Sequence, residues 1–218
     1  MGSQQRVRGT AFGPGGVVEV RDVRHAYRRR EVLRGVDLDL RPGVLAGIVG
    51  ENGAGKSTLL KILSGELRPQ HGTVRHGGRF GYCPQDVVIN SALTVRQHLE
   101  FFRVARGLPD LRHAEEVMEV LGLSEYADER AGLLSGGTRQ KLNLTLALMH
   151  DPQVLLLDEP YQGFDWETFQ RFWDLAARLR DAGRSVLVVS HLAYDAERLD
   201  ELWRLKGGIL HPAVAVPA

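Results

Sequence analysis

Hydrophobic and polar residues alternate along VVEV (17–20) and VDLDL (36–40), the pattern of strands with one face in water. VLAGIVG (44–50) is apolar nearly throughout, as expected of a strand covered on both faces. From Lys56 onward the period changes. Leu59, Leu60, Ile62 and Leu63 fall at helical intervals, and Pro69 and Gly72 end that unit. RFGYC (79–83) predicts another strand. The middle of the chain is helical. Thr94 caps a helix over 95–106, with Gln97 where a capping box places Glu or Gln. LRHAEEVMEVLGL (111–123) is amphipathic, with Leu111, Val117, Val120 and Leu121 at helical spacing, and TRQKLNLTLALM (138–149) is a third helix. A strand over VLLLD (154–158), a helix over 167–183 closed by Gly183, a buried strand over VLVVS (186–190) and a last strand over ELWRL (201–205) complete the pattern. Strands alternating with helices, broken by a helical insert, give an α/β chain. Residues 1–16 read as a tail and 17–211 as one domain. Segments 17–85 and 141–211 form its core and 86–140 the insert, with a second tail at 212–218.

A chain of 218 residues is long enough to bury a core without disulfides or metals. Lys and Arg number 28 against 27 Asp and Glu, so the net charge of +1 sets up no whole-chain field for nucleic acid. The single cysteine, Cys83, excludes an internal disulfide and reads as a small buried hydrophobe rather than a reactive thiol. The N-terminal arginines precede no apolar run, so no signal peptide is expected, and no stretch of 18 apolar residues predicts a membrane span. These features predict a cytoplasmic chain whose membrane role, if any, runs through a partner.

The strongest chemical signal is Gly50-Glu51-Asn52-Gly53-Ala54-Gly55-Lys56-Ser57, which fits G-x-x-x-x-G-K-[ST] between a predicted strand and a predicted helix. Glycines let backbone N–H groups close around phosphate oxygens, and the helix that follows aims its N-terminus at that charge. Lys56 supplies a positive charge to the phosphates and Ser57 an oxygen for Mg²⁺, while Thr58 continues the same first turn. The predicted ligand is therefore ATP with Mg²⁺.

A phosphate loop needs a further carboxylate for the metal, and Asp158 stands at the end of a hydrophobic strand, where open α/β sheets present ligands. Glu159 next to it is then free to act as general base toward water. Ser135-Gly136-Gly137 at the start of the third middle helix forms a second anion cradle. One ATP cannot fill two separated cradles in one chain. A two-fold dimer in which each chain lends this cradle to the other's nucleotide resolves the difficulty.

With these motifs on the page the chain resembles the nucleotide-binding subunit of an ABC (ATP-binding cassette) transporter, over about residues 17–210. The resemblance implies a P-loop NTPase (RecA-like) core, an N-terminal antiparallel β subdomain and an inserted α-helical signature subdomain. It makes Gln85 in YCPQ a sensor of Mg²⁺ and the attacking water, and His191 after VLVVS a switch contacting the γ-phosphate. Asp165 in GFD belongs to the family's Asp-containing loop, and Tyr27 is the aromatic that stacks on adenine. LSGGT stands where the family has LSGGQ, and Phe164 where Leu is commoner. The implied partners are a second nucleotide-binding subunit, as a homodimer or pseudo-two-fold heterodimer, and separate integral membrane permease subunits. Export is the expected direction, with the chain peripheral on the inner face of the membrane and no direct contact to nucleic acid. A soluble ATPase linked to nucleic acid or translation is the alternative. In the insert, Phe101 and Phe102 point about 100° apart on a helix. One can pack inward while the other stays near the surface, with Phe102 and Val88 the expected contacts to the membrane partner; the alternative buries both within the insert.

Overall fold

The computed structural model describes residues 17–86, 89–190 and 196–213. The alternating segments near the N-terminus form β1 (Val18–Tyr27) and β2 (Arg30–Leu40), which pair antiparallel through a two-residue turn at Arg28 and Arg29. Both strands run further than their alternation predicts. The register slips between Val20 and Val23, where Asp22 takes φ +46° opposite Gly35 at φ +100°, and the bulge scrambles the period-two signal. A strand over His71–His76, β4, adds to the free side of β1 and was not legible, because its residues are mostly polar and exposed.

The apolar runs build the second sheet. β3 (Leu45–Val49), β6 (Val154–Asp158) and β7 (Ser185–Ser190) are buried along their whole length and lie side by side. With β5 (Phe80–Cys83), β8 (Glu201–Lys206) and β9 (Ile209–Ala213), the order is β5-β6-β7-β3-β8-β9. All pairings are parallel except β8 with β9. The C-terminal ends of β6, β7 and β3 are therefore neighbours, the edge at which such sheets bind ligands.

Five α-helices occupy the described residues: α1 (Lys56–Leu63), α2 (Val95–Arg106), α3 (Arg112–Val120), α4 (Gly136–Leu148) and α5 (Trp166–Asp181). The capping box on α2 is formed in both directions, Gln97 N–H donating to Thr94 Oγ1 at 3.1 Å and Thr94 N–H to Gln97 Oε1 at 2.9 Å. Gly122 at φ +63° closes the α3 region earlier than its amphipathic pattern predicts, and Gly183 at φ +81° ends α5 as expected. Helix α4 is buried on two sides. Leu142 and Leu146 join α2 and α3 in one apolar cluster, and Leu144, Ala147 and Leu148 join the sheet and α5 in another.

Gly81 in β5 faces α4 so closely that a Cβ there would lie 2.3 Å from the Ala147 carbonyl oxygen. Gly183 by contrast has open space and a positive φ alone. We expect Gly81→Ala to lower unfolding free energy by about 2 kcal/mol or more through overpacking. Gly183→Ala should cost only about 1 kcal/mol of backbone strain. Urea denaturation of the two variants measures the difference, and equal losses would show that the β5–α4 approach yields freely.

Candidate nucleotide-binding site

Residues 50–55 join β3 to α1 and are clamped from both sides. A Cβ at Gly50 would come 2.5 Å from the Leu205 carbonyl oxygen on β8, and one at Gly55 would come 2.9 Å from Val32 on β2. Gly55 also takes φ +108°, at the position where a side-chain cap would otherwise sit. The first-turn N–H groups of α1 have no carbonyl within the helix and face the loop they follow. The result is a cleft of ≈ 580 Å³ lined by Asn52, Gly53, Gly55, Lys56, Ser57 and Thr58 on one side. Tyr27, Gln85 and Glu159 close it on the others. Gly50, Glu51 and Ala54 line an adjoining depression on the far side of the loop.

Lys56 is 6 % exposed, and its Nζ donates to the carbonyls of Gly50 at 2.7 Å and Glu51 at 3.1 Å. Burial lowers its pKa below the ordinary lysine value, while Glu159 and Asp158 work in the opposite direction. Asp158 is 2 % exposed at the end of β6. Burial raises its pKa above the carboxylate range. The Ser57 hydroxyl bonded to it and the charges of Lys56 and Lys61 only partly offset that, and Glu159 adds to it.

Glu159 departs from its neighbour in conformation as well as exposure. It takes φ +49°, in the left-handed region that costs a non-glycine residue about 1–2 kcal/mol. Its N–H donates to Val189 on β7 at 2.9 Å, which ties that turn to the sheet. Its carboxylate accepts from Gln85 Nε2 at 3.4 Å. Strain held at a cleft by the surrounding structure is a mark of a functional position.

A buried carboxylate beside a serine hydroxyl suits a hard divalent cation. Among the described residues no group of three or more His, Cys, Asp or Glu could hold a metal. Mg²⁺ fits nonetheless, since it commonly takes one or two protein oxygens and completes its shell with phosphates and water.

The second cradle lies elsewhere in the chain. Ser135 caps α4, accepting from Thr138 N–H at 3.1 Å, and its hydroxyl also bonds the Thr138 hydroxyl at 2.8 Å. The threonine of LSGGT is thus tied to the cradle itself rather than lying beyond it. A Cβ at Gly137 would lie 2.2 Å from the Gly163 carbonyl oxygen, so Ser135–Gly137 and the GFD loop are packed together. Asp165 caps α5 by accepting from Thr168 N–H at 2.7 Å, a bond that holds its carboxyl below the usual range. Neither Asp165 nor the Ser135–Gly137 cradle lines the cleft around Lys56. His191 lies outside the described residues.

Two facts join the cradles mechanically. Asn143 on α4 donates to the Pro84 carbonyl at 2.8 Å, one residue before Gln85. Gln140 on the same helix donates to Cys83 Sγ at 3.8 Å. Cys83 is fully buried, and burial pushes its thiol well above the usual range, which fits a packing role.

Arg30, Val32 and Gln162 line the cleft without having been singled out from the sequence. Arg30 pairs with Tyr27 across the β1–β2 hairpin, and Gln162 N–H bonds the Glu159 carbonyl at 3.3 Å. Hairpin pairing could have found the first; nothing in the sequence marks the second.

A family profile described as ABC transporter matches residues 33–162. The chain belongs to the ABC transporter family. It carries that family's ATP-binding cassette, the unit that hydrolyses ATP. It is 35 % identical over 215 residues to ATP-binding cassette sub-family A member 7 of Mus musculus, covering 90 % of this chain and 10 % of that protein. It is 29 % identical over 198 residues to the linearmycin resistance ATP-binding protein LnrL of Bacillus subtilis, covering 84 % of this chain and 64 % of that one. The chain therefore spans about a tenth of the first relative and under two thirds of the second. Among solved structures, an ATP binding subunit of an ABC transporter superposes with a TM-score of 0.83 at 25 % identity, over 90 % of both chains. A dimeric bacterial ABC transporter cassette, MJ0796, superposes with a TM-score of 0.79 at 24 % identity, over 89 % of this chain and 96 % of that one. These superpositions agree with the α/β sheet, the antiparallel sheet and the P-loop described above.

The raised pKa of Asp158 has a consequence for stability. Above the ordinary carboxylate range, near pH 4, the unfolded chain ionises this group freely, whereas the folded chain does so only against burial. Ionised Asp158 therefore destabilises the ligand-free fold as pH rises past that point. Asp158→Asn is expected to raise the urea midpoint at pH 7, with the gain vanishing below pH 4, while Mg²⁺-dependent ATP turnover is lost. A lower midpoint at pH 7 would show that the carboxylate is compensated within the protein.

Proposed function

We propose that the chain is one of a pair of ATP-hydrolysing subunits that drive export through membrane-embedded permease subunits, from the cytoplasmic face. The observation that carries the hydrolytic assignment is the convergence of Lys56, Ser57, Gln85 and Glu159 on one cleft, with buried Asp158 directly behind Ser57. Lys56 Nζ, now spent on the Gly50 and Glu51 carbonyls, would turn to the β- and γ-phosphates of ATP. Tyr27, half exposed at the cleft mouth, offers a ring face for adenine. Glu159 accepts the proton of the attacking water, and the Gln85 amide, already against that carboxylate, orients it. Ser57, Asp158 and Gln85 are the residues that would hold Mg²⁺, whose charge would screen the phosphates. Ser135–Gly137 and Asp165, off the cleft in this chain, would complete the partner's site across a two-fold axis. His191 would contact the γ-phosphate.

The names of the relatives support export: one is a resistance protein, and human ABCA7, 35 % identical over 202 residues, is a phospholipid-transporting ATPase. Asn143 and Gln140 attach α4 to residues 83–84, so a hinge coupling Gln85 to the helical insert would have to lie after Pro84.

Glu159→Gln is expected to keep ATP binding, lower turnover about 100-fold and let the ATP-bound dimer accumulate on gel filtration. Ser135→Arg should bind ATP as a monomer and fail to dimerise. Near-normal turnover in the first variant would move the base elsewhere, and loss of monomer binding in the second would end the trans-site reading.

The two phenylalanines separate as their helix spacing requires. Phe102 packs on the α2–α3–α4 cluster, whereas Phe101 is 61 % exposed with Val104, 69 % exposed, one turn on. Phe101, not Phe102, is therefore the probe of the permease contact. Val88, the other such position, lies outside the described residues. Phe101→Glu should leave ATPase activity of the isolated chain unchanged and abolish capture of membrane protein by the tagged chain from detergent-solubilised membranes. Unchanged capture would place the contact elsewhere.

A further inference from the structure

The loop 50–55 has a second depression on the side away from Gln85, and its rim is basic. Arg29, Arg30, Arg34, Arg204 and Lys206 surround ≈ 790 Å³, with Glu31 and Glu51 as the acidic groups among them. Glu31 lies 3.5 Å from Arg34. Among the described residues Arg29, Arg30, Arg204 and Lys206 form no ion pair. The hairpin tip beside this rim holds Arg28 at φ +57°, a conformation in which glycine or asparagine would sit with less strain.

The surface beside the other cradle carries the opposite sign. Glu125, Asp128 and Glu129 line a depression with Arg130 around Leu133, which is 77 % exposed and stands two residues before Ser135. Asp128 pairs with Arg96 at 3.0 Å, while Glu125 and Glu129 form no ion pair among the described residues. The net charge of +1 conceals this segregation, because each rim cancels the other in the sum.

We propose that these two surfaces meet between copies of this chain. The acidic rim over 125–129 of one copy seats on the basic rim over 28–34 of a second copy and sets the register of the dimer. The inference rests on the trans-site reading above. If Ser135–Gly137 of one chain face Gly50–Ser57 of another, whatever flanks the first must lie against whatever flanks the second. A two-fold axis makes that contact twice. Exposed ion pairs add little to the stability of a folded chain, about 0–1 kcal/mol each. Across an interface, opposed patches act differently: they speed encounter and repel wrong registers. Leu133, apolar at the centre of the acidic rim, is covered when the rims close.

The test uses the purified chain in the Glu159→Gln background, with association followed by light scattering after mixing with ATP and Mg²⁺. Arg29 and Glu129 serve because neither lines the cleft around Lys56. Arg29→Glu alone and Glu129→Arg alone should each slow association about tenfold or more at low salt, by setting like charges opposite one another twice per dimer. The deficit should shrink at about 0.5 M salt, where screening is strong. The exchanged pair Arg29→Glu with Glu129→Arg should recover association to within about threefold of the parent. Equal binding of a fluorescent ATP analogue by all variants shows that the monomers are folded. Absence of rescue in the exchanged pair would overturn the proposal, as would single reversals that associate like the parent. If the parent itself fails to dimerise with ATP, the trans-site reading falls and this inference with it. Retention of the parent on anionic phospholipid vesicles, lost in Arg29→Glu with dimerisation untouched, would assign the basic rim to a lipid surface instead.

Discussion

The loop between β3 and α1 is the constraint around which the rest of the molecule is arranged. It runs so close to β8 at Gly50 and to β2 at Gly55 that neither position has space for a Cβ. That wedge brings the small antiparallel sheet and the larger mixed sheet to one spot, and the spot is the cleft around Lys56. Tyr27 and Val32 reach the cleft because β1 and β2 are pinned there. Glu159 reaches it, with Asp158 buried behind Ser57, because β6 ends two strands away from β3 in the sheet order. Loosening the loop would therefore disturb the placement of Ser57, Tyr27 and Glu159 together.

Helix α4 is the second organising element, and it works at a distance. Its two apolar faces bind it to the sheet on one side and to α2 and α3 on the other. The N-terminus carries Ser135, Gly136 and Gly137, while Asn143 further along holds the Pro84 carbonyl. The chain just before Gln85 is thus fixed to the helix that presents Ser135–Gly137. The packing of Gly137 on Gly163 extends the same body to the loop before Asp165. Residues 83–84, α4 and the loop before Asp165 are therefore held together by direct contacts.

The sequence made the buried parallel strands legible because each is an uninterrupted apolar run, and it made α2 legible because Thr94 and Gln97 announce their capping box. β4 and β9 escaped because they are exposed edges of their sheets, carrying His71, Arg75, His76 and His211 in no readable alternation. The bulge at Asp22 hid the length of β1 and β2 by the same loss of period. At the site, spacing alone located Gly50–Ser57, Asp158 and Glu159, since those residues are consecutive or end a strand. Arg30 and Gln162 came from hairpin register and a turn, which are properties of pairing rather than of the string. Which of Phe101 and Phe102 faces water was likewise open until the cluster of Val95, Leu99, Leu142 and Leu146 showed which side of α2 is covered.

Asp158 and Glu159 show how the two halves of one dipeptide are set in different environments by their surroundings. The strand's last residue is enclosed by its neighbours, so Asp158 is almost wholly desolvated and carries a raised pKa. The following residue must leave the strand, and it does so through a left-handed turn that brings its carboxylate to Gln85. A buried carboxylate is an unfavourable state that a cation relieves, whereas a partly exposed one near an amide is already a competent proton acceptor. Two unfavourable terms therefore sit at the same place, the desolvation of Asp158 and the backbone strain of Glu159. On the function proposed above, a cation held by Ser57 and Asp158 would relieve the first of these. The proposed binding would thereby act on the stability of the strand ends that form this edge of the sheet.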